Sequence, residues 1–218
     1  VMEDMNLMFD PKTSLQNFVV QFSIYGGAVS LEGKLEDRWQ GVYVDGVEVS
    51  GIDLQKTNLR HYSQRNVSGT LGFSGGYGGK LSEIENGRLS GRIELTDLVS
   101  ELKRPVLTSS EVRFDNIAAQ VEVDRMRMSF SDGLATGQMY DSTFSGEVTY
   151  VPIPAAGRIS VDGTLTPKQE FLKNNRQAAR AASLLYKKYK NTKIPFNVSG
   201  GLQEPVFRFG SRPQQAVN

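Results

Sequence analysis

The sequence predicts a mainly β protein, in which a long curved antiparallel sheet has one long basic helix packed on it near the C-terminus. A short unit with a central glycine recurs along the chain, and turn residues separate alternating segments at intervals of about 8–12 residues. A long helical pattern occurs only over residues 167–190. The 218 residues include no cysteine, so disulfides, thiolate catalysis and cysteine-ligated metals are excluded.

The recurring unit consists of an apolar residue, a small or acidic residue, glycine, any residue and a second apolar residue. Its six copies begin at Leu31, Val67, Leu89, Phe144, Val161 and Val198, and a looser seventh begins at Val49. In a strand, both apolar residues and the glycine point to the same side. A glycine on the buried side indicates a bulge, a bend or the close approach of another layer. Its recurrence predicts a sheet that curves repeatedly in the same way.

The N-terminal strands follow from alternation and from turn residues. Residues 18–25 alternate between apolar and other residues. Asp45-Gly46 lies between two short alternating segments and predicts a two-residue hairpin turn. The glycine-rich residues 69–79 predict a flexible hairpin tip, because they complete neither a phosphate-binding loop nor a dinucleotide fingerprint.

A second, shorter helix is predicted over residues 97–103, where Pro105 would end it. Further strands are predicted over residues 112–114, 119–123 and 126–130. Asp132-Gly133 then predicts a turn into a strand over residues 134–140.

The long helix near the C-terminus lies between two predicted strands, residues 158–165 and 194–202. Thr166 suits the N-cap, Pro167 suits the first helical position, and Gln169 completes a capping box. An apolar stripe is formed by Phe171, Ala178, Ala182, Leu185 and Tyr189. A last short strand is predicted over residues 206–209. We expect residues 1–210 to form a single domain and residues 211–218 to form a disordered tail.

The opposite face of this helix is basic and is the candidate surface for a partner or a membrane. It carries Lys173, Arg176, Arg180, Lys187 and Lys188. Residues 166–193 contain eight of the 25 basic residues and one of the 24 acidic residues, although the net charge of the chain is only +1. One interpretation is a solvated helix face. The other is contact with anionic lipid head groups or with an acidic partner protein.

No residue pattern predicts catalysis or a cofactor. His61 is the only histidine, so a zinc site or a Ser-His relay lacks the residues that it needs. The basic residues are not interleaved with aromatic residues, which argues against a nucleic-acid surface. A glycosidase-type pair of carboxylates stays open, because such partners can be distant in the chain.

Residues 107–209 resemble a known family through the order of their strand motifs. The motifs are Phe114-Asp115-Asn116-Ile117, Val121-Glu122-Val123, Met126-Arg127-Met128, Phe144-Ser145-Gly146-Glu147-Val148, residues 158–167, the helix, and residues 194–207. This order resembles the type II secretion system protein N (GspN) family and, more distantly, the C-terminal region of AsmA-like proteins.

The resemblance implies a periplasmic β-rich domain over residues 1–210, held at the inner membrane by an N-terminal helix that is absent from this chain. It implies a non-enzymatic accessory component of a bacterial type II secretion system, which would act by contacts with other secretion-system proteins. The AsmA-like relatives imply an alternative, a lipid-binding or lipid-transfer module with an apolar β-groove. The basic helix would then suit an anionic membrane surface.

Overall fold

Twelve strands form one antiparallel sheet in which every strand pairs with its neighbours in the sequence. The computed structural model describes residues 2–9, 17–35, 42–58, 65–78, 87–149 and 157–211. The strands are β1 Met2–Phe9, β2 Asn17–Ile24, β3 Gly27–Leu35, β4 Val42–Asp53, β5 Val67–Gly78, β6 Arg88–Val106, β7 Ser109–Asp124, β8 Arg127–Thr136, β9 Tyr140–Thr149, β10 Arg158–Pro167, β11 Ile194–Gly201 and β12 Pro205–Phe209. Within these ranges the helices are α1 Gln169–Asn174 and α2 Arg176–Tyr189, and Leu54–Lys56 form a 3-10 turn. The predicted mainly β, antiparallel fold is confirmed.

One face of the sheet is apolar and the other is polar, because side chains alternate along each strand and paired residues on neighbouring strands point to the same side. A single row of paired residues crosses the apolar face from β2 to β12: Val20, Leu31, Val47, Gly75, Gly91, Val121, Phe130, Gly146, Val161, Val198 and Phe207. The adjacent row on the polar face reads Gln21, Ser30, Glu48, Ser74, Arg92, Gln120 and Ser131 from β2 to β8.

The glycines of the recurring unit lie on the apolar face, where most of them make room for a neighbouring strand. A Cβ atom on Gly163 would lie 2.6 Å from Cζ of Phe196, and one on Gly33 would lie 2.6 Å from Cζ of Phe18. Gly69 instead has a φ of 138°, which favours glycine, next to a register shift between β5 and β6. Gly69 therefore confirms the expected bulge, whereas Gly33 and Gly163 lie against rings of neighbouring strands in the same sheet and not against another layer.

Two predicted turns are wrong, because the strands continue through them with a bulge. Asp45 is an extra residue inside β4, where the register with β3 shifts between Glu32 and Gly33. Asp132 has a φ of 50° inside β8, where the register with β9 shifts between Phe130 and Gly133. Aspartate tolerates the local geometry of a bulge as well as that of a turn. The chain reverses at residues 137–139 instead.

Two further predictions are also wrong, because strand pairing overrides local sequence preference. The segment predicted as a helix over residues 97–103 lies inside β6 and pairs with β7. Asp97 has a φ of 52° at a bulge against β5, which interrupts the alternation that would have indicated a strand. The segment predicted as a hairpin tip lies in β5 up to Gly78. Gly79 and His61 fall outside the described residues.

The long helix predicted over residues 167–190 is interrupted, and its predicted capping box is wrong. Thr166 and Pro167 instead complete β10 by pairing with β9. Asn175, with φ −132° and ψ 93°, separates the two helices, and its Oδ1 accepts a hydrogen bond of 2.9 Å from the backbone N–H of Ala178. A side chain that competes for backbone hydrogen bonds favours a cap over a helix interior.

The sheet curves round its apolar face at the end that the helices cover. Val106 of β6 lines a cavity of about 310 Å³ together with Val198 of β11 and Phe207 of β12. In a flat sheet, β6 and β12 would lie six strand spacings apart, or about 29 Å. Their approach requires the apolar face to be concave. The core cluster inside the curve comprises Val106, Leu107, Tyr140, Leu165, Ala178 and Phe196.

Candidate functional site

The structure places all five predicted basic residues at exposed positions but brings only three of them onto one line. Arg176, Arg180 and Lys187 lie on the side of α2 opposite Ala178 and Ala182, both of which are 0% exposed. We call these three residues the cationic strip. The helix packs through its alanines against the core cluster, so the strip points away from the sheet.

The other two predicted residues do not belong to the strip. Lys173 belongs to α1, on the far side of the break at Asn175. The Nζ atom of Lys188 lies 5.1 Å from the centroid of the Tyr189 ring, which is within the range of a cation–π contact.

No described carboxylate forms an ion pair with the cationic strip. Elsewhere such pairs are frequent: Lys168 Nζ lies 3.2 Å from Asp141 Oδ1, and Arg113 Nε lies 2.7 Å from Glu111 Oε1. Lys187 in the last turn of α2 is favoured by the helix dipole, but Arg176 in the first turn is not, because the N-terminal end is already partially positive. The stability of the helix therefore does not explain Arg176.

Sequence reasoning missed Leu184, which lies beside the cationic strip. Its side chain is 69% exposed, more than Leu134 at 56% and Met126 at 51%. Leu184 lies four residues after Arg180 and three residues before Lys187, so it is a neighbour of both on the helix surface. The helical period could have identified it, because only Leu185 of the two adjacent leucines falls on the buried stripe.

A second candidate surface is the part of the apolar face that the helices leave uncovered. The side chains that pack on the helices belong to β9–β12 and to the tip of the β6–β7 hairpin. From β2 to β8, no described helix covers the face. Phe18, Val44, Ala119 and Val121 are buried there, whereas other apolar side chains of the face are half-buried. These include Val20, Phe22, Leu31, Val49, Phe73, Ile93 and Val123. We call the apolar side of β2–β8 the open apolar face.

The polar face carries a wide cavity of about 750 Å³ over β9–β12, lined in part by Glu147, Arg158 and Arg208. Asn197 at its base is used structurally, since its amide donates to Val161 O at 3.2 Å and to Asp162 Oδ1 at 3.1 Å. Within the ranges that the structure covers, no three histidine or carboxylate side chains are grouped as metal ligands.

The titratable groups with shifted pKa values serve the fold. Tyr140 is 0% exposed, and this burial raises its pKa to about 12. Its hydroxyl donates a hydrogen bond of 3.1 Å to the carbonyl of Val106, and its ring packs edge-on against Phe171 at 5.2 Å. Burial also raises the pKa of Tyr186. Tyr140 thus joins β9 to the hairpin tip and to α1.

Comparisons of the chain with family models, with well-characterised proteins and with solved structures found no match. The resemblance to the GspN family and to AsmA-like proteins therefore stays a prediction. Neither helix in the described ranges has the length and apolar character needed to cross a membrane.

Proposed function

We propose that this chain is a non-enzymatic lipid-binding protein that holds acyl chains against its open apolar face. The observation that supports the proposal is the continuous apolar row across the seven strands β2–β8. No described helix covers this part of the sheet. Soluble proteins rarely expose an apolar patch larger than a few hundred Å² unless it binds something. Burial of such surface contributes about 25 cal/mol per Å².

The dimensions of the open apolar face suit a lipid chain. From β2 to β8 there are six strand spacings, which amount to about 29 Å. One leaflet of a bilayer, in which acyl chains are nearly extended, contributes about 15 Å of hydrocarbon thickness. A chain lying across the strands would thus be accommodated along its whole length.

The test combines native mass spectrometry of the purified protein with titration of a phospholipid that carries a fluorescent acyl chain. The triple variant Val49→Thr, Ile93→Thr, Val123→Thr places hydroxyl groups on the open apolar face while keeping β-branched residues that suit strands. We expect its affinity for the probe to fall by about 10- to 100-fold, since each change removes apolar contact worth about 1 kcal/mol.

The control variant Ser50→Thr, Ser74→Thr, Ser131→Thr makes three comparable changes on the polar face and is expected to bind like the natural chain. Absence of any bound lipid after purification, together with no saturable binding of the probe, would refute the proposal. An equal loss of affinity in both triple variants would refute it as well.

A second candidate function is contact with secretion-system proteins, as the resemblance implies. It is supported by the open sheet, because β12 has a neighbour on one side only among the described strands. Such an edge can pair with an added strand of another protein. A photo-crosslinker at Arg208, an exposed residue of β12, should capture a secretion-system component from an envelope fraction. Recovery of no such component would count against this candidate.

A further inference from the structure

We propose that the cationic strip and Leu184 together form a membrane-contact surface, with which α2 lies flat on an anionic lipid bilayer. This inference does not depend on acyl-chain binding by the open apolar face, which belongs to a different surface of the molecule.

The charges of the strip are arranged so that they can reach one plane together. Arg176 and Lys187 are eleven residues apart, which corresponds to about 16 Å along a straight helix, and Arg180 lies between them on the same line. All three point away from the sheet, and none is engaged by a described carboxylate. A basic side chain near an anionic membrane surface strengthens binding by about fivefold, so three of them contribute about 100-fold.

Arg176 lies at a position of α2 that is unfavourable for a cation. A cation in the first turn of a helix opposes the helix dipole, whereas Asp or Glu would stabilise that position. The first turn of α2 contains no acidic residue at all. Because the charge of Arg176 destabilises its own helix, we infer that it contacts a partner outside the protein.

Leu184 distinguishes a bilayer from an acidic protein surface as the occupant. Its side chain is 69% exposed and has basic neighbours one helical turn away on either side. A row of carboxylates would satisfy the cations but would offer nothing apolar to the leucine. The head-group region of a bilayer offers both, because negative charge lies directly above acyl chains.

The surface is already formed before it binds. Ala178, in the core cluster, and Ala182 are both 0% exposed, and Asn175 caps the first turn of α2 with a hydrogen bond of 2.9 Å. The helix does not have to fold on the membrane, so the binding free energy is not reduced by ordering the backbone.

The experiment is a flotation assay with vesicles of phosphatidylcholine alone and of phosphatidylcholine mixed with phosphatidylglycerol. We expect the full chain to float only with the anionic vesicles and to be released by added salt, because exposed charges are screened. The variant Arg176→Gln, Arg180→Gln, Lys187→Gln should bind about 100-fold more weakly. The control Lys56→Gln, Arg127→Gln, Arg158→Gln removes the same net charge at exposed positions elsewhere and should bind like the natural chain.

A second pair of variants tests the apolar contact. Leu184→Ala should weaken vesicle binding by about five- to tenfold, whereas Leu134→Ala, at the exposed leucine of β8, should have no effect. The proposal is overturned if the strip variant and its charge control bind alike. It is also overturned if Leu184→Ala binds as well as the natural chain while poly-glutamate competes fully, since an acidic protein would then be the better occupant.

The two proposals fail in distinguishable ways. The strip variant should keep its affinity for the fluorescent phospholipid in the absence of vesicles, and the threonine variant of the open apolar face should still float with anionic vesicles. Failure of acyl-chain binding would thus leave the flotation result unchanged.

Discussion

The glycine at position 163 provides a direct test of how the apolar face is packed. It lies in β10 opposite Phe144 and Phe196. A Cβ atom there would collide with the carbonyl oxygen of Thr143 and would lie 2.6 Å from Cζ of Phe196. The ring of Phe196 is 7% exposed and stacks on Phe207 at a centroid distance of 5.4 Å, so it has little room to move aside. We expect Gly163→Ala to lower the free energy of unfolding by about 1–3 kcal/mol through overpacking.

Gly201, on the adjacent strand β11, supplies the matched control. A Cβ atom at Gly201 would meet no heavy atom within 4 Å. Gly201→Ala should therefore stabilise the protein by about 0.4–1 kcal/mol, because alanine restricts the unfolded chain. Each substitution adds one methyl group, yet the free energies of unfolding of the two variants are expected to differ by about 1.5–4 kcal/mol.

Urea unfolding of both variants, followed by circular dichroism, measures this difference. The order of the midpoints should be Gly163→Ala, then the natural chain, then Gly201→Ala. If both alanine variants unfold at the same urea concentration, the ring of Phe196 does not pack directly against Gly163, and our explanation of the recurring unit is wrong.

Two further substitutions test the helix break and the buried tyrosine. Asn175→Ala removes the side chain that caps α2 and should lower the free energy of unfolding by about 1 kcal/mol, whereas Asn175→Asp keeps an acceptor for the cap. Asn174→Ala, at an exposed position, should change the free energy of unfolding by less than about 0.5 kcal/mol. Thermal unfolding distinguishes the three variants. Because the folded-state pKa of Tyr140 is about 12 and its ordinary value is 10.0, its contribution to stability is complete below pH 10 and is lost as the pH rises toward 12, by up to about 1.4 kcal/mol per pH unit. Tyr140→Phe should be less stable at neutral pH by about 1 kcal/mol, because the hydrogen bond to Val106 is lost. It should not lose further stability at alkaline pH, so parallel slopes of urea stability against pH for both proteins would contradict the raised pKa of Tyr140.

Features that depend on neighbours in the chain could be predicted from the sequence. Alternation and recurring glycines predict an antiparallel meander, and the structure pairs each strand with the next one along. The basic face of the helix was likewise predictable, because Arg176, Arg180 and Lys187 repeat with the helical period. These features arise from local geometry, which short sequence windows record.

Features that depend on the course of the whole sheet could not be predicted in this way. Asp45 and Asp132 carry the residue types of a turn, and only the continuing hydrogen bonds to adjacent strands make them bulges. The contact between Tyr140 and Val106 joins residues 34 positions apart, and nothing in either segment indicates the other. The start of α1 at Gln169 depends on where β10 ends, since Pro167 belongs to the strand.

The pairing of each strand only with its neighbours in the chain has a consequence for how the protein folds. Such a sheet behaves as a linear array, in which each hairpin is stabilised mainly by the two beside it. Folding can begin at any hairpin and spread in both directions, with little cost for closing long loops. Amide exchange with solvent should consequently be slowest where the helices cover β9–β12 and should quicken, hairpin by hairpin, toward β2.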